Sequence, residues 1–144
     1  MTKITLPKNF IYIGLSKKFK TRGVFAGKNI KKGEIFEICP VILVPYKTKR
    51  ESLGYSLTKS ILDNYYFSWN NKFWAWPAGY GVLYNHSYIP NANYFRDIKK
   101  KVIKFKALKT INKNEEILIN YNGSPDDKTP IEKWFKEVNG KAIL

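Results

Sequence analysis

Asn85-His86-Ser87-Tyr88-Ile89-Pro90-Asn91 is the stretch that decides the fold of this chain. It clusters polar side chains and a chain-stiffening proline in the middle of an apolar region. A segment that only packs would instead repeat apolar residues with a period of about 2 or about 3.6. The stretch therefore indicates a functional loop.

A second informative stretch follows it, Glu115-Glu116-Ile117-Leu118-Ile119-Asn120-Tyr121. Its segment from Ile117 to Tyr121 follows a turn at Asn112-Lys113-Asn114, which predicts a short strand ending at a tyrosine. Tyr121 considered without its neighbours could equally be a core aromatic at the end of a strand.

The length of 144 residues predicts one domain, residues 1–144, large enough to bury a core without metals or disulfides. The single cysteine, Cys39, excludes an internal disulfide and a multi-cysteine zinc cluster, and its apolar neighbours predict a buried thiol. We expect no metal. Residues 1–19 lack the apolar core of a signal peptide, and no apolar run is long enough to span a bilayer, so we expect a soluble intracellular protein without a membrane partner.

The formal net charge of +15 predicts attraction to polyanions such as nucleic acid or nucleoprotein. Biased composition is the alternative, because the chain is rich in Lys, Asn and Ile together, and the charge would then be spread over solvated faces. Between Asn64 and Phe95 only Lys72 is charged, and this window holds 12 of the 23 aromatic residues. An uncharged aromatic centre between basic segments indicates an apolar cleft with a cationic rim, although an ordinary aromatic core would look similar.

Strand signals dominate the rest of the chain. The predicted strands are Val24–Ala26, Ile35–Val44, Tyr65–Trp69, Phe73–Trp76, a strand ending at Phe95, Lys101–Leu108 with one side in water, and Ile117–Tyr121. Helix is predicted only for Lys49–Asn64, where Gly54 weakens the pattern, and for a C-terminal helix over about 129–139. The second helix would begin with Thr129 as N-cap, Pro130 at the first position and Glu132 completing a capping box.

The order of motifs resembles the SET-domain protein lysine methyltransferases, in particular the minimal stand-alone type found in viruses and bacteria. Three segments carry the resemblance, over about 21–123. They are Arg22-Gly23-Val24-Phe25-Ala26 with the following Ile30-Lys31-Lys32-Gly33-Glu34, then Asn85-His86-Ser87 with Pro90-Asn91, and then Ala107 and Ile111 with Glu115-Glu116-Ile117 and Tyr121.

The resemblance implies a mainly β fold, in which several small antiparallel sheets surround a knot-like crossing that places the segment ending at Tyr121 beneath a loop of the preceding chain. It implies S-adenosylmethionine as the methyl donor, S-adenosylhomocysteine as the product, and a protein lysine that enters a narrow channel from the opposite side. Tyr121 matches the catalytic tyrosine of the family, and Tyr94 matches a second channel tyrosine.

Further roles follow from the resemblance. The residues expected at the donor are Lys20, Thr21, Arg22, Gly23, Asn85, His86, Tyr121 and, as a lid over adenine, Trp134 or Phe135. The residues expected along the substrate channel are Tyr65, Tyr66, Phe67, Trp69 and Ile119, of which Ile119 occupies a position where many relatives carry Phe or Tyr. Trp134 and Phe135 could equally be the packing face of an amphipathic helix.

The resemblance leaves the substrate open. Histones or nucleosomes are the usual substrates of the family, which would place the protein at chromatin, whereas ribosomal or nucleoid proteins would place it in a bacterial cytoplasm. Neither the degree of methylation nor the choice between monomer and homodimer follows from the residues. Two other readings remain, a nucleic-acid-binding module without enzymatic activity and a catalytically inactive SET scaffold.

Overall fold

The computed structural model describes residues 10–45 and 65–131, and within them it consists of strands, turns and loops without α-helix. The strands of this described part are β1 Ile11–Ser16, β2 Thr21–Ala26, β3 Ile35–Pro45, β4 Phe67–Ser68, β5 Phe73–Pro77, β6 Asn85–His86, β7 Ala92–Asp97, β8 Val102–Ala107 and β9 Leu118–Ile119. The predicted mainly β fold with several small sheets is confirmed.

The largest sheet has five antiparallel strands in the order β4-β5-β3-β8-β7. On β8, Ile103, Phe105 and Ala107 are almost fully buried, while Lys104 and Lys106 project from the other face. Successive side chains of a strand point to opposite faces, so this alternation produces the strand with one wet side that the sequence predicts. The buried face of β8 contributes to a core that also contains Phe36 and Tyr84.

A two-stranded hairpin, β1 with β2, forms a separate small sheet, with Ile11 opposite Ala26 and Ser16 opposite Thr21. β1 was not among the strands predicted from the sequence. Its apolar side chain Leu15 is largely exposed whereas Ser16 is fully buried, so the strand lacks the alternation that marks a half-buried strand. Pairing with β2 defines it instead.

The third sheet is a parallel pair in which Asn85 of β6 lies opposite Leu118 of β9, and His86 lies opposite Ile119. Parallel strands cannot be joined by a tight turn, and here the β7–β8 hairpin lies between them in the chain. The same C-terminal segment also reaches β2, because the amide of Ile117 donates to the carbonyl of Val24 over 2.8 Å. Residues 116–121 therefore cross between β2 and β6.

Several element boundaries differ from prediction. The strand predicted over Tyr65–Trp69 is limited to Phe67–Ser68, because the Asn70 side-chain oxygen accepts the amides of Lys72 and Phe73 and forms the turn into β5. The strand predicted over Ile117–Tyr121 is limited to Leu118–Ile119.

The helix predicted over Lys49–Asn64 lies entirely outside the described residues. Of the predicted helix over about 129–139, only 129–131 are described, and these are irregular. Cys39 is almost fully buried, as expected. No helix in ranges 10–45 and 65–131 is long and apolar enough to cross a bilayer.

Candidate functional site

Tyr121 lies two residues beyond β9, at the crossing of the chain. Its hydroxyl donates to the backbone carbonyl oxygen of Tyr84 over 2.6 Å, and its amide donates to Nδ1 of His86 over 3.2 Å. Burial raises the pKa of the Tyr121 hydroxyl, and the nearby Tyr65 and Glu116 raise it further. The phenol is therefore protonated at neutral pH, and its orientation is set by the Tyr84 carbonyl.

Two cavities meet at Tyr121. The larger, of about 860 Å³, includes in its lining Tyr65, Tyr66, Phe67, Ser68, Trp74, Gly81, Val82, Tyr84, Tyr94, Phe95, Arg96, Ile119, Tyr121, Asn122, Gly123, Thr129, Pro130 and Ile131. The smaller, of about 30 Å³, is lined by Thr21, Arg22, Tyr65, Val82, Leu83, Tyr84, Asn85 and Tyr121. Four residues, namely Tyr65, Val82, Tyr84 and Tyr121, line both, so the two cavities adjoin at a shared partition.

The smaller cavity has a polar wall built around Asn85. The side-chain amide of Asn85 donates to the carbonyl of Arg22 over 3.2 Å and to Oε1 of Glu116 over 2.7 Å. Glu116 is held from its other oxygen by the hydroxyl of Ser16 over 2.8 Å. A β-carbon at Gly23 would lie only 2.4 Å from Oε1 of Glu116, so this contact requires glycine.

Two buried polar atoms near this wall make no hydrogen bond within the part of the chain that the structure describes. They are Oγ1 of Thr21 and Nε2 of His86. The Thr21 side chain is 6% exposed and lines the smaller cavity. Since buried polar groups are normally hydrogen-bonded, both atoms are candidates for contact with a bound molecule. Lys20 and Arg22, on either side of Thr21 in the chain, are exposed cations.

The wall of the larger cavity is aromatic. Phe67 and Tyr94 meet edge to face with ring centroids 4.7 Å apart, and Tyr66 meets Trp76 in the same way at 6.3 Å. Burial raises the pKa of Tyr94, which Arg96 partly offsets. Ile119 closes the wall from β9 and is almost fully buried. The wall thus places mainly apolar and aromatic side chains around Tyr121, together with the cationic Arg96, whose guanidinium donates to the carbonyls of Ser68 and Trp69 over 2.9 Å.

The structure brings most of the expected site residues together, but not all of them. Trp69 is 3% exposed, packs in the hydrophobic core and lines neither cavity, so an expected channel residue lies in the core instead. Trp134 lies outside the described residues. Three expected donor residues do not line the smaller cavity, namely Lys20, Gly23 and His86. Each is next in the chain to a residue that does, and His86 also accepts a hydrogen bond from the amide of Tyr121, which lines the cavity.

Sequence reasoning missed Tyr84 and Glu37. Tyr84 contributes the carbonyl that accepts the Tyr121 hydroxyl, and its side chain donates to Oε2 of Glu37 over 2.5 Å. Tyr84 looks like a core aromatic, since it lies in a window of aromatic residues. Glu37 carried a usable signal, because it is an isolated carboxylate inside the apolar run Ile35–Val44.

Ranges 10–45 and 65–131 contain no group of three or more His, Cys, Asp or Glu side chains arranged to hold a metal ion.

Comparison with known proteins agrees with this geometry. The SET domain family model matches residues 21–122. A histone-lysine N-methyltransferase of Schizosaccharomyces pombe, specific for H3 lysine-37, is 29% identical over 123 residues, which are 85% of this chain and 76% of the relative.

Solved structures show the same fold. A crystal structure of a candidate histone methyltransferase from Plasmodium falciparum is 36% identical with a TM-score of 0.61, and the match covers 79% of this chain and 98% of that one. The Polycomb Repressive Complex 2 of Chaetomium thermophilum bound to the inhibitor GSK126 contains a chain with a TM-score of 0.63 at 21% identity, covering 81% of this chain and 16% of that one.

Proposed function

Because this chain belongs to the SET-domain family and is a protein-lysine N-methyltransferase, we propose that it transfers methyl groups from S-adenosylmethionine to lysine side chains of histones or of another nucleoprotein. The observation that most supports the proposal is the meeting of two cavities at Tyr121. An arrangement of this kind lets donor and acceptor approach one reacting point from opposite sides.

The residues around the smaller cavity fit part of such a donor. Thr21 offers a buried hydroxyl that makes no hydrogen bond within the described residues, and Asn85 offers an amide fixed by Glu116. Lys20 and Arg22 supply positive charge for a carboxylate, and Gly23 makes room for the Glu116 carboxylate that holds the Asn85 amide. When bound, S-adenosylmethionine supplies an activated methyl group on a positively charged sulfur. We assign these residues and the backbone of His86 to donor binding. Trp134, which lies outside the described residues, is proposed to cover adenine.

The larger cavity is the proposed entry for the substrate lysine. A free lysine has a pKa of about 10.4, so most of the amine is protonated at pH 7 and cannot act as a nucleophile. The aromatic walls formed by Tyr65, Tyr66, Phe67 and Tyr94 disfavour the charged amine by desolvation, while their ring faces attract the cation on entry. Ile119 is proposed to narrow the cavity next to Tyr121.

Tyr121 is the proposed catalytic residue, and its role is to orient rather than to remove a proton. Its pKa lies above the ordinary range because of burial, and its proton is already donated to the Tyr84 carbonyl. The phenolic oxygen therefore presents a lone pair to the reacting centre from a fixed position. Alignment and exclusion of water are the main requirements of a direct displacement between two bound groups.

The Schizosaccharomyces pombe relative is a histone-lysine N-methyltransferase, and the Plasmodium falciparum structure is described as a candidate histone methyltransferase. Both support a histone substrate and action at chromatin. The net charge of +15 supports a substrate bound to nucleic acid over a free basic peptide, because like charges repel. Association with nucleic acid would occur through the basic segments outside the aromatic window.

The test is transfer of labelled methyl from S-adenosylmethionine to nucleosomes, free histones and a cell lysate. We expect lysine labelling by the wild type and a loss of at least about 100-fold in Tyr121→Phe, by analogy with removal of a positioned active-site hydrogen-bonding group. Tyr12→Phe is the matched control, because the Tyr12 hydroxyl bonds only to Asn114 at the surface among the described residues.

Binding of the donor should persist in Tyr121→Phe, measured by calorimetry. No donor binding by the wild type would refute the proposal and favour a nucleic-acid-binding module. Donor binding with no transfer to any of the three substrates would contradict the proposed substrates and favour an inactive scaffold.

A further inference from the structure

Residues 79–84 form a tight segment that contributes to both cavities. Gly81, Val82 and Tyr84 line the larger one, and Val82, Leu83 and Tyr84 line the smaller. The amide of Leu83 donates to the carbonyl of Tyr80 over 2.8 Å, which closes a turn. The position of this turn therefore fixes the partition between the two cavities and the direction of the Tyr84 carbonyl.

One carboxylate from β3 holds both ends of that turn. Oε1 of Glu37 accepts the amide of Tyr80 over 2.7 Å, and Oε2 accepts the hydroxyl of Tyr84 over 2.5 Å. The approach depends on Gly79, whose φ is +82° and whose added β-carbon would lie 2.8 Å from Oε1.

Burial of this carboxylate is energetically unfavourable. Glu37 is 3% exposed, and no cationic side chain of the described residues pairs with it. A buried charge without a counterion is costly unless several donors satisfy it, and an apolar residue would fill the same place in β3 at lower cost. Packing alone does not explain a glutamate at position 37. Its hydrogen bonds to the Tyr80 amide and the Tyr84 hydroxyl, which hold the turn at residues 80–83 in place, do explain it.

We propose that Glu37 is a positioning residue for methyl transfer. It acts through Tyr84: the carboxylate fixes the Tyr84 side chain and the Tyr80 amide, and the Tyr84 carbonyl in turn fixes the hydroxyl of Tyr121. This inference rests on the proposed function for its catalytic consequence, but the chain of contacts from Glu37 to the Tyr121 hydroxyl can be tested without any ligand.

The ligand-free test is NMR of protein labelled with ¹³C at the ζ carbon of tyrosine, a nucleus that reports on the hydrogen bond of the hydroxyl. The Tyr121 signal is identified by its absence in Tyr121→Phe. We expect it to shift in Tyr84→Phe and in Glu37→Gln, and to stay in place in the matched control Tyr12→Phe. An unshifted Tyr121 signal in both Tyr84→Phe and Glu37→Gln would overturn the proposal.

The catalytic test is a double-mutant cycle between Tyr84→Phe and Tyr121→Phe. Removal of the Tyr84 hydroxyl should lower kcat about tenfold, as expected for the loss of one buried hydrogen bond, with KM for the methyl donor changed less than kcat. In the Tyr121→Phe background the same change should cost less than about twofold, because the group that it positions is already absent.

A purely structural role would give the opposite pattern. The fold-loss from Tyr84→Phe would then be equal in both backgrounds, and that result would overturn the proposal. Glu37→Leu and Glu37→Gln separate the roles further, since leucine packs but cannot accept the Tyr80 amide, whereas glutamine can. Activity retained better by Glu37→Gln than by Glu37→Leu supports positioning, and the reverse order opposes it.

The two proposals fail separately. A wild-type protein that binds no donor and transfers no methyl group would refute the proposed function, while the NMR signal would still decide whether Glu37 positions Tyr121. An active wild type with an additive cycle and an unshifted signal would refute the positioning role alone.

Discussion

The ring of His86 is fixed on several sides next to Tyr121. Its Nδ1 accepts the Tyr121 amide, and the ring packs edge to face on Tyr88 with centroids 4.4 Å apart. Burial lowers the pKa of His86, and the positive charge of Lys18 lowers it further. His86 is therefore neutral at pH 7 and acts as a hydrogen-bond acceptor, because a proton on Nδ1 would break its bond with Tyr121.

Stability should consequently fall on mild acidification. The folded state has the lower histidine pKa, so the unfolded state binds more protons once the pH drops below the unfolded pKa of about 6.5. We expect the wild-type free energy of unfolding to decrease between about pH 7.5 and about pH 5.5. Urea unfolding at several pH values would measure it. In His86→Gln this part of the decrease should be absent, and parallel profiles for the two proteins would contradict the assignment.

At the scale of elements, Asn91 joins the loop after β6 to the segment that contains β9. Its side-chain amide donates to Oε1 of Glu115 and to the carbonyl of Glu116, and its oxygen accepts the amide of Leu118 over 2.8 Å. The side chain is 4% exposed. These bonds lie beside the parallel pair of β6 and β9, which has only two residue pairs of its own, so Asn91 contributes a large part of what holds the crossing together.

Asn91→Ala should therefore destabilise the protein by about 2–4 kcal/mol, because it leaves the Glu116 carbonyl and the Leu118 amide without their partner. Asn93→Ala is the matched control. Oδ1 of Asn93 is buried and makes no hydrogen bond within the described residues, so its removal should cost less than about 1 kcal/mol. Chemical denaturation of both variants would measure this difference, and equal losses would show that the Asn91 bonds carry no special weight.

At the scale of the whole molecule, we expect the net charge to influence the encounter with substrate. The net charge of +15 attracts nucleic acid and repels a free basic peptide, and salt screens both effects. Salt should therefore weaken the encounter with nucleosomes but not the encounter with a free basic peptide.

Between about 50 mM and about 200 mM salt, we expect KM for nucleosomes to rise at least about tenfold. KM for a free histone-tail peptide should fall or stay constant over the same range. Steady-state methyl transfer on the two substrates gives both values. A parallel rise for both would indicate that the charge of the protein does not direct substrate choice.

The sequence by itself determined the family, the mainly β class and most of the residues around Tyr121. Asn85 and His86 could be predicted as site residues because polar residues and a proline interrupt an apolar window. Strand β8 could be predicted because lysines alternate with buried side chains. Glycine at position 23 is visible as part of the opening motif, and the contact with Glu116 explains it. These features depend on residues that are close together in the chain, so the sequence is sufficient to predict them.

Only the tertiary structure decided which distant segments meet. The parallel pairing of β6 with β9, the burial of Trp69 in the core, the donation of the Tyr121 hydroxyl to Tyr84 and the reach of Glu37 to the turn all join residues far apart in the chain. Local alternation tells which face of a strand is buried but does not say against what it is buried. Partners at long sequence separation are selected by the packing of the whole chain, because each pairing is stable only when the others have formed.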